Sequence, residues 1–121
     1  MLLKFFVFRH GETDWNLAKK FQGHSDIPLN TLGEEQALHL FEKVKKLKLK
    51  TVLSSDLMRA LKTAEIATKG LKIPIHATSA LRETHLGDAE GLTADEIASK
   101  FGEDLIVRWK SIDPVDKEYQ F

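Results

Sequence analysis

Seven residues close to the start, Leu2-Leu3-Lys4-Phe5-Phe6-Val7-Phe8, carry one charge and are otherwise apolar and β-favouring. They run directly into Arg9-His10-Gly11. A nearly continuous apolar run of this length suits a strand buried on both faces, the kind found in parallel sheets. The run is too short for a signal sequence, no small-residue cleavage site follows it, and no later stretch approaches a membrane span. Gly11 permits a sharp turn and close approach of the backbone to a ligand.

Helical and strand patterns alternate after this point. Thr31-Leu32-Gly33-Glu34 reads as a capping box. Ala37, Leu40, Phe41, Val44 and Leu47 then recur at helical spacing. Lys43, Lys45, Lys46 and Lys48 gather near the C-terminal end of that helix, where they favour its dipole, and they read as a solvated helix end. Thr51 to Ser54 is a short strand candidate, and Ser55 or Asp56 is a candidate cap for a second helix. Leu57, Ala60, Leu61, Ala64 and Ala67 form the apolar stripe of that helix, with Gly70 as its end. Ile73 to His76 suits another strand. Thr93-Ala94-Asp95-Glu96 is a second capping box, opening a helix that Gly102 closes. A further short helix is expected from about Glu103 to Lys110, before Pro114. The order predicts one α/β domain with a mainly parallel sheet flanked by helices. Ligands of such sheets sit at the carboxyl ends of the strands, where His10 and Ser54-Ser55 fall.

The chain has 121 residues, 42% hydrophobic and 30% charged, which fits a single globular domain. Eighteen basic and eighteen acidic side chains cancel. There is no global field for nucleic acid or an anionic membrane, so neither is expected as a partner, and an anion must be held by a local cluster. The absence of cysteine rules out disulfides, thiolate metal sites and a cysteine nucleophile, and is compatible with the expected cytoplasmic location. The five histidines show no metal-ligand spacing, so no metal or other cofactor is expected.

Arg9-His10-Gly11 carries the most chemistry. A neutral imidazole at the end of a rigid element is a competent nucleophile, and an adjacent guanidinium can fork onto a phosphate. Taken alone the tripeptide is ambiguous, because many strands end in a His that only hydrogen-bonds to backbone. Arg59, three residues after Asp56 on a helix, reads first as a surface ion pair. Glu83, in a charged stretch, reads as a solvated acid. His24 and His85 are open between substrate contacts and exposed loop residues, whereas His39 and His76 read as structural.

The flanking residues bear on this choice. Arg9-His10-Gly11-Glu12-Thr13 with Trp15-Asn16 resembles the signature of the histidine phosphatase superfamily, which includes phosphoglycerate mutases and small phosphatases. The resemblance continues through Phe21-Gln22-Gly23, Asp26-Ile27-Pro28-Leu29 and Thr31-Leu32-Gly33. It resumes at Ser54 to Ala60 with Thr63-Ala64, at Leu81-Arg82-Glu83, and at Gly87 to Thr93. These blocks imply a phosphoglycerate mutase-like fold in which His10 takes the phosphoryl group. Arg9 and Arg59 grip its oxygens, and Glu83 donates a proton to the leaving oxygen. Asn16, Gln22, Gly23 and Arg82 contact substrate. Phosphoryl transfer needs positioning and charge neutralisation above all, which suits such a set.

The implied activity is metal-independent hydrolysis of a phosphorylated small molecule through phosphohistidine. Phosphoglycerate mutase-type transfer is the nearest alternative. Mutases of this kind carry a longer segment after the acid-bearing motif, whereas Leu86 to Thr93 looks like the small phosphatases, among them α-ribazole-phosphate phosphatase-like enzymes. Ala89 departs from the aromatic residue those relatives often carry. The family's second catalytic His, on a later strand followed by Gly, has no counterpart here. The single domain, residues 1–121, therefore reads as an incomplete N-terminal portion. A catalytically impaired phosphate-binding or interaction domain is then a third reading. The family's strand bearing that His lies beside the first strand, so Leu2 to Phe8 is expected to present an unpaired apolar edge, covered by dimerisation, element exchange or local rearrangement.

Overall fold

The structure, a computed structural model, describes residues 2–102. Its sheet among those residues is small. Strand β1 (Val52–Ser55) pairs in parallel with β2 (Ile75–Thr78), Val52 opposite Ile75 and Ser55 opposite Thr78. The expected parallel α/β architecture is present. The helix expected over about 103–110 lies outside the described residues.

The first run departs from expectation. Residues 2–8 form no strand, and Leu2, Phe5 and Val7 are 90%, 80% and 94% exposed. Burial on both faces is a property of a strand's neighbours, and among the described residues β1 and β2 pair only with each other. Among the described residues the apolar segment is therefore open and forms no strand, rather than the strand with one unpaired edge that was expected. Leu53 of β1, 63% exposed, also faces outward.

Helix α1 (Asp14–Leu17) is a single turn that the sequence reading passed over. Thr13 caps it, and Asn16 returns the bond to the Thr13 amide, so Asn takes the part usually played by Glu or Gln. Helix α2 (Thr31–Leu47) begins as expected, but its cap is Asn30 rather than Thr31. The Asn30 side-chain oxygen accepts from the Gly33 amide at 2.8 Å, which places Glu34 one residue beyond the position that could close a box. Ala37 and Val44 are buried, while Leu40, Phe41 and Leu47 are half-buried.

Helix α3 (Met58–Ala67) is capped neither by Ser55 nor by Asp56. Leu57 holds the cap position with no side-chain bond. Asp26, distant in sequence, accepts from the Met58 amide at 2.7 Å. Asp56 is drawn away by Arg82. The helix stops at Ala67 with Thr68 as its cap, short of Gly70, and the Thr68 hydroxyl donates to the Ala64 carbonyl. Its buried positions are Arg59, Thr63 and Ala67, so the expected apolar stripe is only partly the inward face. Helix α4 (Ala94–Phe101) has the expected Thr93–Glu96 capping box and closes at Gly102. Ile97 is fully buried against Leu86 and Ala89, with Phe21 and Leu92 packed on them. Among the described residues no helix is long and apolar enough to cross a membrane.

The loop bearing His10 is clamped to the start of α2. The Glu12 carbonyl accepts from the Asn30 amide, its carboxylate from the Asn30 side chain, and its amide donates to Gln36. The two backbones touch through glycines: a Cβ at Gly33 would lie 2.1 Å from the Glu12 carbonyl oxygen, and one at Gly11 2.4 Å from that of Gly33. Neither obstacle is a flexible side chain. Gly33→Ala is therefore expected to cost about 2–3 kcal/mol, the upper part of the overpacking range. Urea unfolding would register this as a lower midpoint at unchanged slope.

Candidate active site

His10 follows the open apolar run and is held from the other side. The Gly11 amide donates to the Thr63 hydroxyl at 3.0 Å, and that hydroxyl donates to the Arg59 carbonyl at 2.6 Å. Thr63 thus fastens the His10 loop to the helix carrying Arg59. His10 Nδ1 lies 2.6 Å from the Gly11 carbonyl oxygen. A carbonyl can only accept, so Nδ1 carries the proton and the Nε2 lone pair of the neutral ring is left for chemistry. Burial lowers the His10 pKa below the ordinary imidazole value. The Gly11 carbonyl opposes this, the positive charges of Arg59 and Arg9 add to it, and Glu83 opposes weakly. Three other residues singled out in the sequence, Arg9, Arg59 and Glu83, are therefore within electrostatic reach of His10.

Arg59 is no surface ion pair. It is 2% exposed, and its partner is not Asp56. Nη1 donates to the Ser25 carbonyl and Nη2 to the Gly23 carbonyl, both at 2.7 Å, with the Glu83 carboxylate 3.4 Å from Nη2. Two of its five N–H donors are thereby fixed to backbone, which sets the plane of the guanidinium. Glu83 is more open, its side chain 54% exposed. His24 Nε2 donates to the Glu83 carbonyl at 2.9 Å, and the His24 and His85 rings stack at 4.7 Å. His24 is thus tied into the site through backbone, while His85 is exposed.

The residues expected to contact substrate divide. Asn16 lines a cleft of about 590 Å³ beside Arg9 and His10, bounded across from them by Gln36, His39 and Lys43 of α2. Lys43 therefore faces this cleft as well as solvent. Thr63 of α3 lines it as well, whereas Arg59 and Glu83 do not. Gln22 is buried and accepts from the Thr13 hydroxyl at 2.7 Å. Gly23 contributes its carbonyl to Arg59. Arg82 forks onto Asp56 at 2.6 and 2.8 Å. Its hydrogen bonds hold the Asp56 carboxyl below the usual range. Ala89, which departs from the aromatic residue often carried by the small phosphatases that this segment resembles, is core.

Sequence reading assigned no role to Glu90. This carboxylate accepts from the His24 amide, the Leu86 amide and the Ser25 hydroxyl, with His85 at 3.6 Å. Burial acts to raise its pKa, but the bonds from Ser25, His24 and Leu86 and the nearby His85 outweigh that and lower it. Its sequence context, an acid before Gly91, carries no sign of these partners. Among the described residues no group of three or more His, Asp or Glu side chains converges as metal ligands.

A His with a free Nε2, backed by a buried and a surface guanidinium and neighboured by a carboxylate, is an arrangement for handling a phosphoryl group. The chain belongs to the histidine phosphatase superfamily (branch 1), whose model matches residues 5–118. It is 40% identical over 107 residues to the uncharacterized phosphatase PhoE of Bacillus subtilis, covering 88% of this chain and 55% of that one. Phosphoglycerate mutase-like protein 4 of Arabidopsis thaliana is 49% identical over 96 residues, 78% of this chain and 41% of that one. Among solved structures, Bacillus stearothermophilus YhfR superposes with a TM-score of 0.80 at 38% identity, over 93% of this chain and 55% of that one. The chain spans about half the length of the curated relatives it matches. The fold is thus phosphoglycerate mutase-like, and the family contains both phosphatases and mutase-like proteins.

Proposed function

We propose that the chain carries the phosphoryl-accepting half of a metal-independent phosphatase acting on phosphate monoesters. The observation that carries this is the state of His10: Nδ1 committed to a carbonyl, Nε2 free, and a pKa lowered by burial and by Arg59 and Arg9. In the first step Nε2 attacks phosphorus, the N–P bond forms, the P–O ester bond breaks, and Glu83 gives its proton to the departing alkoxide oxygen. In the second step water attacks phosphorus, its proton passes to Glu83, and the N–P bond breaks to release phosphate. Arg9 and Arg59 balance the charge on the transferring group throughout. Hydrolysis is preferred to mutase transfer because the segment after Glu83 is compact: Leu86 and Ala89 turn into the core and α4 starts at Ala94. The relatives point both ways, so phosphoglycerate isomerisation is the activity to measure beside hydrolysis.

The test is an aryl phosphate assay with a chelator present, combined with mass spectrometry for an acid-labile phosphoryl group on His10. Turnover should survive chelation, and the label should sit at His10. Loss of turnover with the chelator, or a label elsewhere, would overturn the reading. The pH dependence has a definite sign. Protonation removes the nucleophile, and the folded pKa is lowered, so kcat/KM should hold below pH 6.5 and fall only as pH drops through that lowered value. Arg9→Ala removes one lowering charge and should move this acid limb upward, after correction for titration of the substrate itself.

The exposed run of residues 2–8 leads to a proposal on assembly. Burial of apolar surface favours pairing of this segment between two copies of the chain. Sedimentation velocity should show association that rises with concentration, and a Phe5→Lys, Val7→Lys double variant should sediment as a monomer. A wild-type monomer at all concentrations would remove this proposal.

A further inference from the structure

The loop at residues 23–25 is held from two sides. On one side Gly23 and Ser25 offer their carbonyls to Arg59. On the other, the Glu90 carboxylate takes the His24 amide at 3.0 Å and the Ser25 hydroxyl at 2.5 Å, and it reaches across to the Leu86 amide at 3.1 Å. The fit is close: a Cβ at Gly23 would stand 2.6 Å from the Glu90 carboxylate. The same loop sends the His24 ring to the Glu83 carbonyl. Glu90 itself keeps only 12% of its side-chain surface exposed. Three donors from two separate stretches of chain therefore converge on one carboxylate, and both stretches lead to groups of the phosphate site.

We infer that Glu90 is a positioning residue: by tethering residues 23–25 to Leu86 it fixes the Arg59 guanidinium and the Glu83 backbone relative to each other, without touching the transferred group. The inference rests on the phosphate-site reading for its functional meaning, though the tether can be measured without it. Without the Glu90 carboxylate, the loop loses its tie to Leu86 and keeps its bonds to Arg59, the His24 ring on the Glu83 carbonyl and Asp26 on the Met58 amide, so Arg59 is backed by a less constrained loop. A guanidinium that swings gives up the fixed plane that makes a preorganised charge effective. Glutamine should largely substitute. Its carbonyl can take the two backbone amides, and its NH₂ can donate to the Ser25 hydroxyl, which turns to accept. Alanine removes all three bonds. Aspartate keeps the charge but withdraws it by one methylene.

The first readout needs neither substrate nor turnover. Nitrogen NMR of the whole chain should show separate, slowly exchanging Arg59 Nη signals in the wild type and in Glu90→Gln, and averaged signals in Glu90→Ala. If the alanine variant does not fold, Glu90→Asp decides by the same readout. The second readout is calorimetric binding of orthophosphate. Glu90→Ala should weaken it about tenfold, the lower end of what losing an orienting partner costs at metal sites. In an Arg59→Met background the same change should cost little, because the group it positions is gone. Unaveraged Arg59 signals in the alanine or aspartate variant, or equal losses in both backgrounds, would overturn the inference. A wild type that binds no orthophosphate, yet whose Arg59 signals respond to Glu90, would uphold the tether and sink the phosphate-site reading instead.

Discussion

His10→Ala is expected to abolish hydrolysis of an aryl phosphate while leaving the fold and most of the phosphate affinity in place. The loss should be on the order of 10⁴-fold or more, as when a nucleophile is removed outright. His10 keeps a free Nε2 at the cleft and has Arg59 and Arg9 among the charges acting on it. The fold should tolerate the change. The ring is half-buried, and its hydrogen bond goes to the adjacent Gly11 carbonyl, which ties no distant element. The tie that places this loop, the Gly11 amide to Thr63, belongs to backbone and survives. Orthophosphate should still bind within a few-fold, because Arg9 and Arg59 remain. Turnover, urea unfolding and calorimetry on the same preparation separate these outcomes. Retained turnover would place the nucleophile elsewhere. Loss of folding together with turnover would assign His10 a structural part that its recorded contacts do not suggest.

The sequence made the chemistry of this site more legible than its support. Arg9, His10, Arg59 and Glu83 could be named because each side chain's chemistry is visible in its letter and its motif. What holds them could not be named, because the holding groups are hydroxyls, carbonyls and one acid that meet only after folding: Thr63 on the Gly11 amide, Gly23 and Ser25 on Arg59, Glu90 on the loop behind them. Arg59 shows the limit plainly. On a helical wheel it sits three residues from Asp56 and reads as a surface pair, yet Arg82 takes Asp56 and the Gly23–Ser25 loop buries Arg59. The Thr93–Glu96 cap was legible in the sequence, but the N-caps of α2 and α3 were missed for a related reason. Asn30 displaced Thr31, and Asp26 served α3 from a distance, since a cap is won by whichever acceptor the tertiary fold brings to the free amide. Residues 2–8 failed differently. Their apolar pattern states a need for burial but contains nothing about what supplies it.

Arg59→Met should damage stability and catalysis together, and by separable amounts. Methionine fills part of the volume but donates no hydrogen bond. The Gly23 and Ser25 carbonyls, each receiving a guanidinium N–H at 2.7 Å, would lose those donors in a site where Arg59 itself is 2% exposed. An unsatisfied buried acceptor costs about 1–3 kcal/mol, so a total loss of about 2–4 kcal/mol is expected, Ser25 being closer to solvent than Gly23. Arg59→Lys should recover little of this, because one ammonium cannot span both carbonyls in the plane of the fork. The rate should fall about 10²- to 10³-fold in both variants, the usual cost of removing one preorganised charge donor. A second effect distinguishes charge from packing. Arg59 helps to lower the His10 pKa, so Arg59→Met should shift the acid limb of kcat/KM upward, whereas Arg59→Lys, which keeps the charge, should leave the limb nearly where it was. A limb that moves equally in both variants would mean that burial of His10, and not the charge beside it, changed with the substitution.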